Sequence, residues 1–114
     1  MDAEDFRRMA LAMSDVVEGA HMGHPDFRVR GRIFATIHHD HRTGMVKLTP
    51  GQQQDCLRDH PHVFSPESGA WGRAGCTRVN LAAADEETLG VAMTQAWQNI
   101  ARGSAKPPRQ RRRT

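Results

Sequence analysis

A chain of 114 residues that is 38% hydrophobic and 25% charged has the composition of one globular domain, long enough to enclose a single core. No apolar run approaches the roughly 18 residues of a membrane span, and the acidic start MDAEDF is unlike a secretory leader, so a cytoplasmic protein with no membrane partner is expected. The net charge of +3 does not describe a basic domain: five of the 16 basic residues (Lys106, Arg109, Arg111, Arg112 and Arg113) lie near the C-terminus, and the chain before them sums to −2.

Residues 3–13 are predicted to form an amphipathic helix. Phe6, Met9, Ala10 and Met13 share one face, and Asp2, Glu4 and Asp5 suit the positive end of the helix dipole. Residues 16–21 read as a short strand, followed by the turn-prone Gly23-His24-Pro25. Phe27 and Val29 then alternate with Arg28 and Arg30, the period of a half-buried strand, and Gly31 marks a tight turn. Residues 32–38 form a stronger strand, with Ile33, Ala35 and Ile37 expected on one face and Phe34 and Thr36 on the other. Residues 39–44 are a polar hairpin loop, and residues 45–48 the next strand.

Thr49-Pro50 is a helix start, because threonine caps and proline is preformed for the first helical position; this helix should run to residue 59, before His60-Pro61. Val63-Phe64 is a short strand and residues 65–69 a loop. Residues 71–73 and 77–81 read as two strands or one bent strand, with Gly72 and Gly75 at the bend. Asp85-Glu86-Glu87 opens a last helix whose buried stripe is Leu89, Met93, Ala96, Trp97 and Ile100, and Gly103 ends it. The expected class is α+β, in the order α-β-β-β-β-α-β-β-α, with helices packed on one face of an antiparallel sheet. One domain spans residues 1–103, and the Pro/Arg-rich residues 104–114 are expected to be a disordered basic tail.

Catalytic signatures are absent from the sequence. Ser14, Ser65 and Ser68 sit in no GxSxG elbow, Cys56 and Cys76 form no Cys-x-x-Cys pair and read as free thiols, and there is no phosphate-binding glycine loop. His38, His39 and His41 are dense around Asp40, but one hairpin loop supplies donors without the rigidity of a metal centre. A non-enzymatic protein without metal or cofactor is therefore expected, with a metal-responsive role for the three histidines as a weaker alternative. The best physical lead is basic. Arg28 and Arg30 are two apart on one strand, and Lys47 and Arg78 alternate with apolar neighbours, so these cations should share the sheet face turned away from the helices. With Arg73 they could lie along a phosphate backbone, or they could be ordinary solvated charges of an antiparallel sheet. With no tyrosine and 5% aromatic residues, there is little on which unpaired bases could stack. Trp71 and Trp97 are most simply packing anchors, although the glycines on either side of Trp71 leave room for a partner there.

The words HPDFRVRGRIFATI at 24–37, VKLTPGQQQ at 46–54, VFSPESGAWGRAGCTRVNLAAADEETL at 63–89 and AW at 96–97 resemble the MmcQ/YjbR family, in order and over roughly residues 4–102. The resemblance implies a CyaY-like or secretion-chaperone-like α+β domain with no catalytic set to transfer. Residues matching the family pattern are Gly31, Phe34, Lys47, Trp71, Arg78 and Trp97. Members are commonly labelled DNA-binding, from a double-wing arrangement of the sheet, which makes Lys47 and Arg78 candidate DNA contacts. The His-rich hairpin HHDHRTG and Cys76, where a larger residue is expected, depart from the pattern. The resulting expectation is a small DNA-binding protein of little sequence specificity, contacting phosphates through Arg28, Arg30, Lys47, Arg73 and Arg78. The alternative is a protein-interaction or chaperone-like module, with a protein partner or as a homodimer, using the sheet face and the Trp71 loop.

Overall fold

The computed structural model describes residues 1–103, so the expected basic tail lies outside the described residues. Chain order is α1 (Ala3–Leu11), β1 (Val16–His21), β2 (His24–Val29), β3 (Arg32–Ile37), β4 (Thr43–Lys47), α2 (Pro50–Asp59), β5 (Phe64–Pro66), α3 (Gly69–Arg73), β6 (Cys76–Asn80) and α4 (Glu86–Gly103). The strands form one six-stranded sheet in the order β1-β2-β3-β4-β6-β5, every neighbouring pair antiparallel. Helices α1 and α4 lie across one face, as the α+β reading requires. No helix among the described residues is long and apolar enough to cross a membrane.

Local chemistry sets the helix boundaries. Asp2 and Asp5 form a reciprocal capping box at the start of α1, and Thr49 and Gln52 form another ahead of Pro50 at the start of α2. The Asp85 carboxylate accepts the Thr88 amide at 2.7 Å and so starts α4. Helix α1 stops at Leu11, short of the expected residue 13, and the chain turns through Asp15 at a φ of 63°. Phe6 and Ala10 of α1, with Leu89, Ala92, Met93 and Ala96 of α4, close over Phe27, Val29, Phe34, Ile37, Val46 and Val79 of the sheet.

Two readings are corrected by the structure. Residues 71–73 are not a strand but part of the short helix α3, tucked beside the chain that precedes it. A Cβ on Gly72 would lie 1.7 Å from Glu67 O, and one on Gly75, at a φ of 115°, would lie 2.0 Å from Leu48 O, so both glycines are required by backbone approach rather than by a bend in a strand. Gln53 of α2 ties this turn down: its buried side-chain amide donates to Gly72 O at 3.0 Å, Cys76 O at 3.1 Å and Thr77 Oγ1 at 3.2 Å. The second correction concerns β3. Phe27 pairs with Ala35 but Arg28 with Ile33, so Phe34 is an extra residue, a β-bulge. Strict alternation therefore fails: Phe34, Ala35 and Ile37 all belong to the core, while Ile33 and Thr36 line the opposite face.

The glycine approach yields a stability prediction. Gly72→Ala should cost about 3 kcal/mol, because the methyl group must displace the Glu67 backbone. Gly51→Ala in α2, where a Cβ meets only Thr49 Oγ1 at 4.0 Å, should be neutral or slightly stabilising. Urea denaturation of the two variants checks both.

Candidate functional site

The face opposite α1 and α4 is open and carries the polar chemistry. Directly paired residues share a face, so the register gathers His21 with His24, Gly19 with Asp26, Arg28 with Ile33, Thr36 with Met45, Met45 with Arg78 and Lys47 with Cys76. Two carboxylates organise it.

The first is Asp26, whose side chain has no solvent exposure. It accepts Arg28 Nε at 2.8 Å and a second Arg28 nitrogen at 3.1 Å, and its Oδ2 lies 2.7 Å from His21 Nδ1. The Arg28 fork holds this carboxyl below the ordinary range, against the opposing effect of burial, with His21 adding to the depression. Gly19 leaves room for the pair, since a Cβ there would lie 3.0 Å from Asp26 Oδ1.

The second is Glu67, in the loop between β5 and α3. Arg78 donates to its Oε1 at 3.2 Å, and His38 Nε2 lies 2.7 Å from its Oε2 without the alignment of a hydrogen bond. Burial alone would raise this carboxyl, but His38 and Arg78 outweigh it and the net shift is downward. The other ring nitrogen of His38 is 2.8 Å from Thr43 Oγ1. Asp40 in turn accepts the Arg42 amide at 2.9 Å and the Thr43 amide at 3.1 Å, which fixes the hairpin.

The His-rich loop therefore does not converge. His38 turns to Thr43 and Glu67, His39 stacks edge-on against His24 with ring centres 4.7 Å apart, and His41 sits in a left-handed turn at a φ of 57°. Among the described residues no group of three or more His, Cys, Asp or Glu side chains is arranged to hold a metal ion. His24 is packed between His21, at 4.4 Å, and His39. Burial, and then the neighbouring imidazoles, push its pKa below the usual histidine value. Burial pushes the Cys56 and Cys76 thiols up, away from a reactive thiolate.

Between these networks lies a cavity of about 250 Å³, predominantly apolar, whose walls include His24, Ile33, Met45, Lys47, Glu67 and Trp71. Trp71 is 69% exposed at its edge. Trp97 is instead anchored, its Nε1 donating to Ser14 O at 3.0 Å.

The five expected phosphate contacts are distributed unequally. Arg28 and Arg78 sit on the open face but are bound to Asp26 and Glu67. Arg30 is not on the strand with Arg28; it occupies the β2–β3 turn at a φ of 55°, so the two do not share a sheet face. Lys47 ends β4 and Arg73 ends α3. Arg32, the first residue of β3, was missed because only strand alternation was weighed. The pairings Val29 with Arg32 and Lys47 with Cys76 place Arg30, Arg32, Lys47 and Arg73 at one end of the sheet. None of these four has an ion-pair partner among the described residues. At about 4.8 Å per strand they spread over roughly 15 Å, from β2 to β6.

An antiparallel sheet backed by helices on one face, with a cavity on the other and unpaired cations along one end, defines a small α+β domain. The chain belongs to the YjbR family, whose family model matches residues 11–99. It is similar to the crystal structure of the Deinococcus radiodurans protein DR2400, a DUF419 domain, at 17% identity and a TM-score of 0.75, covering 91% of this chain and 81% of that one. No curated protein matches the chain. Of the residues that carry the family pattern, Lys47 and Trp71 line the cavity and Arg78 holds Glu67, whereas Phe34 is core and Gly31 serves a turn.

The Asp26 network carries a pH signature. A carboxyl lowered in the folded state contributes stability above its unfolded pKa of about 4 and loses it as pH falls through the folded value. Asp26→Asn should therefore cost about 2 kcal/mol at pH 7, less than a fully enclosed pair because Arg28 reaches solvent. The gap from the native chain should narrow as the pH falls from about 4, where the unfolded carboxyl takes up its proton, toward the lower folded value, where the native carboxyl is protonated too. Urea melts at pH 7 and pH 3 measure it.

Proposed function

We propose that this protein binds the phosphate backbone of duplex DNA, with little sequence preference, through the rim formed by Arg30, Arg32, Lys47 and Arg73. The observation that carries the reading is that these four cations lie along one end of the sheet and have no ion-pair partner among the described residues, whereas Arg28 and Arg78 are already neutralised by Asp26 and Glu67. Unpaired cations at this spacing can replace counterions along a phosphate strand, and such contacts give affinity without reading bases. Among the described residues no helix suits base readout: α1 and α4 are packed on the sheet, α3 has five residues, and α2 exposes the carboxylates of Asp55 and Asp59. The domain acts here as a binding module without catalysis.

A second reading, a module that receives a partner on the open face, is favoured by the exposed Trp71 beside the apolar cavity.

Charge reversal separates the rim from the paired cations. Arg30→Glu combined with Arg73→Glu in the full chain should weaken duplex binding by tenfold or more, on the order of two lost phosphate contacts, and flatten the salt dependence by about two counterions. Arg78→Gln should leave affinity nearly unchanged. Equal binding by the native chain and the double variant would overturn the rim as the binding surface. The readout is fluorescence anisotropy of a labelled duplex across a salt series.

A further inference from the structure

We propose that the open-face cavity is a binding site for a small planar aromatic acid that also carries an N–H or O–H donor. The site is independent of the phosphate-binding rim in all but Lys47.

Four observations define this ligand. The walls are mostly apolar and enclose about 250 Å³, the scale of one substituted ring rather than a chain segment. Trp71 leaves a broad aromatic surface 69% exposed at the cavity, a platform for a flat ring. Lys47 brings to the same wall an ammonium with no carboxylate partner among the described residues, so the ligand's charge is negative. Among the described residues, His24 Nδ1 is a buried side-chain polar atom left without a hydrogen bond, while Glu67, contacted by Arg78 at Oε1 and by His38 at Oε2, keeps lone pairs to spare, and both residues line this cavity. Buried polar atoms are ordinarily satisfied, so the unpaired His24 Nδ1 and the spare acceptor capacity of Glu67 mark groups that a ligand can meet. Glu67, kept ionised beside His38 and Arg78, can only accept, so the partner must donate to it.

Other ligand classes fit less well. A polyanion finds one free cation here, since Arg78 and Arg28 are engaged by carboxylates. The Glu67 carboxylate does not repel an acid, because Arg78 and His38 already face it. The ligand places its ring against Trp71, its carboxylate toward Lys47 and its donor toward Glu67.

The test uses the full-length protein and the three aminobenzoate isomers, followed by ¹⁵N NMR through the two tryptophan indole signals. Trp97, bonded to Ser14 O, serves as the internal control. At least one isomer should shift the Trp71 indole saturably in the millimolar range or below while leaving Trp97 in place. The matching aminobenzamide, lacking the charge, and benzoate, lacking the donor, should each bind roughly tenfold more weakly, as for loss of one charge-assisted hydrogen bond. Lys47→Gln should cause the same loss with the Trp97 signal unmoved, and Trp71→Phe should retain more affinity than Trp71→Ala. Trp71→Ala should leave duplex binding intact, which separates this site from the rim. No saturable shift with any isomer would overturn the proposal and assign the unpaired His24 Nδ1 to solvent. Binding that is indifferent to Lys47→Gln, or to removal of the ligand's charge or donor, would overturn it as well.

Discussion

Two carboxylates on the open side of the sheet, Asp26 fully buried and Glu67 half-buried, constrain everything around them. A buried negative charge is costly unless cations and hydrogen bonds surround it. Asp26 is therefore gripped by Arg28 and His21, and Glu67 is flanked by Arg78 and His38. These contacts consume the cations that alternation would otherwise turn to solvent. The positive charge left for an external partner moves to the end of the sheet, where turns and strand termini carry Arg30, Arg32, Lys47 and Arg73.

The same constraint shapes the cavity. Glu67 can reach inward because α3 folds back on the loop that carries it, and that fold requires a hydrogen atom in place of a side chain at Gly72. The Gln53 amide then locks α3 and β6 together from beneath. Trp71 is thereby held at the cavity edge by backbone packing, not by burial of its own ring. The bulge at Phe34 performs the complementary task on β3: it sends both Phe34 and Ala35 to the core and lets Ile33 and Thr36 face the cavity.

Much of the fold was legible in the sequence because it is written in local signals. The 3.6-residue period of α1 and α4, the Thr49-Pro50 cap and the period-two strands each depend on neighbours a few residues apart. The element order gave the antiparallel α+β architecture, and the resemblance to YjbR proteins agrees with the family assignment over residues 11–99. What escaped was non-local. A β-bulge depends on the partner strand, so nothing in RIFATI marks Phe34 as the extra residue. Helix α3 reads as a strand because its glycines look like bends, while the structure needs them for contact with Glu67 and Leu48. The pairing of Arg28 with Asp26 was within reach, since the two are two apart on one strand; that of Arg78 with Glu67 crosses eleven residues and a helix.

The central claim is that the folded domain itself, through unpaired cations at one end of its sheet, meets a phosphate backbone. The most direct measurement is duplex anisotropy for a chain ending at residue 103, which removes the Arg-rich terminus and keeps the rim. The account predicts binding whose logarithm falls with the logarithm of salt at a slope of about −3 to −4, as for about four neutralised phosphates. Binding that vanishes with the last eleven residues, or that persists with a slope near zero, would contradict it.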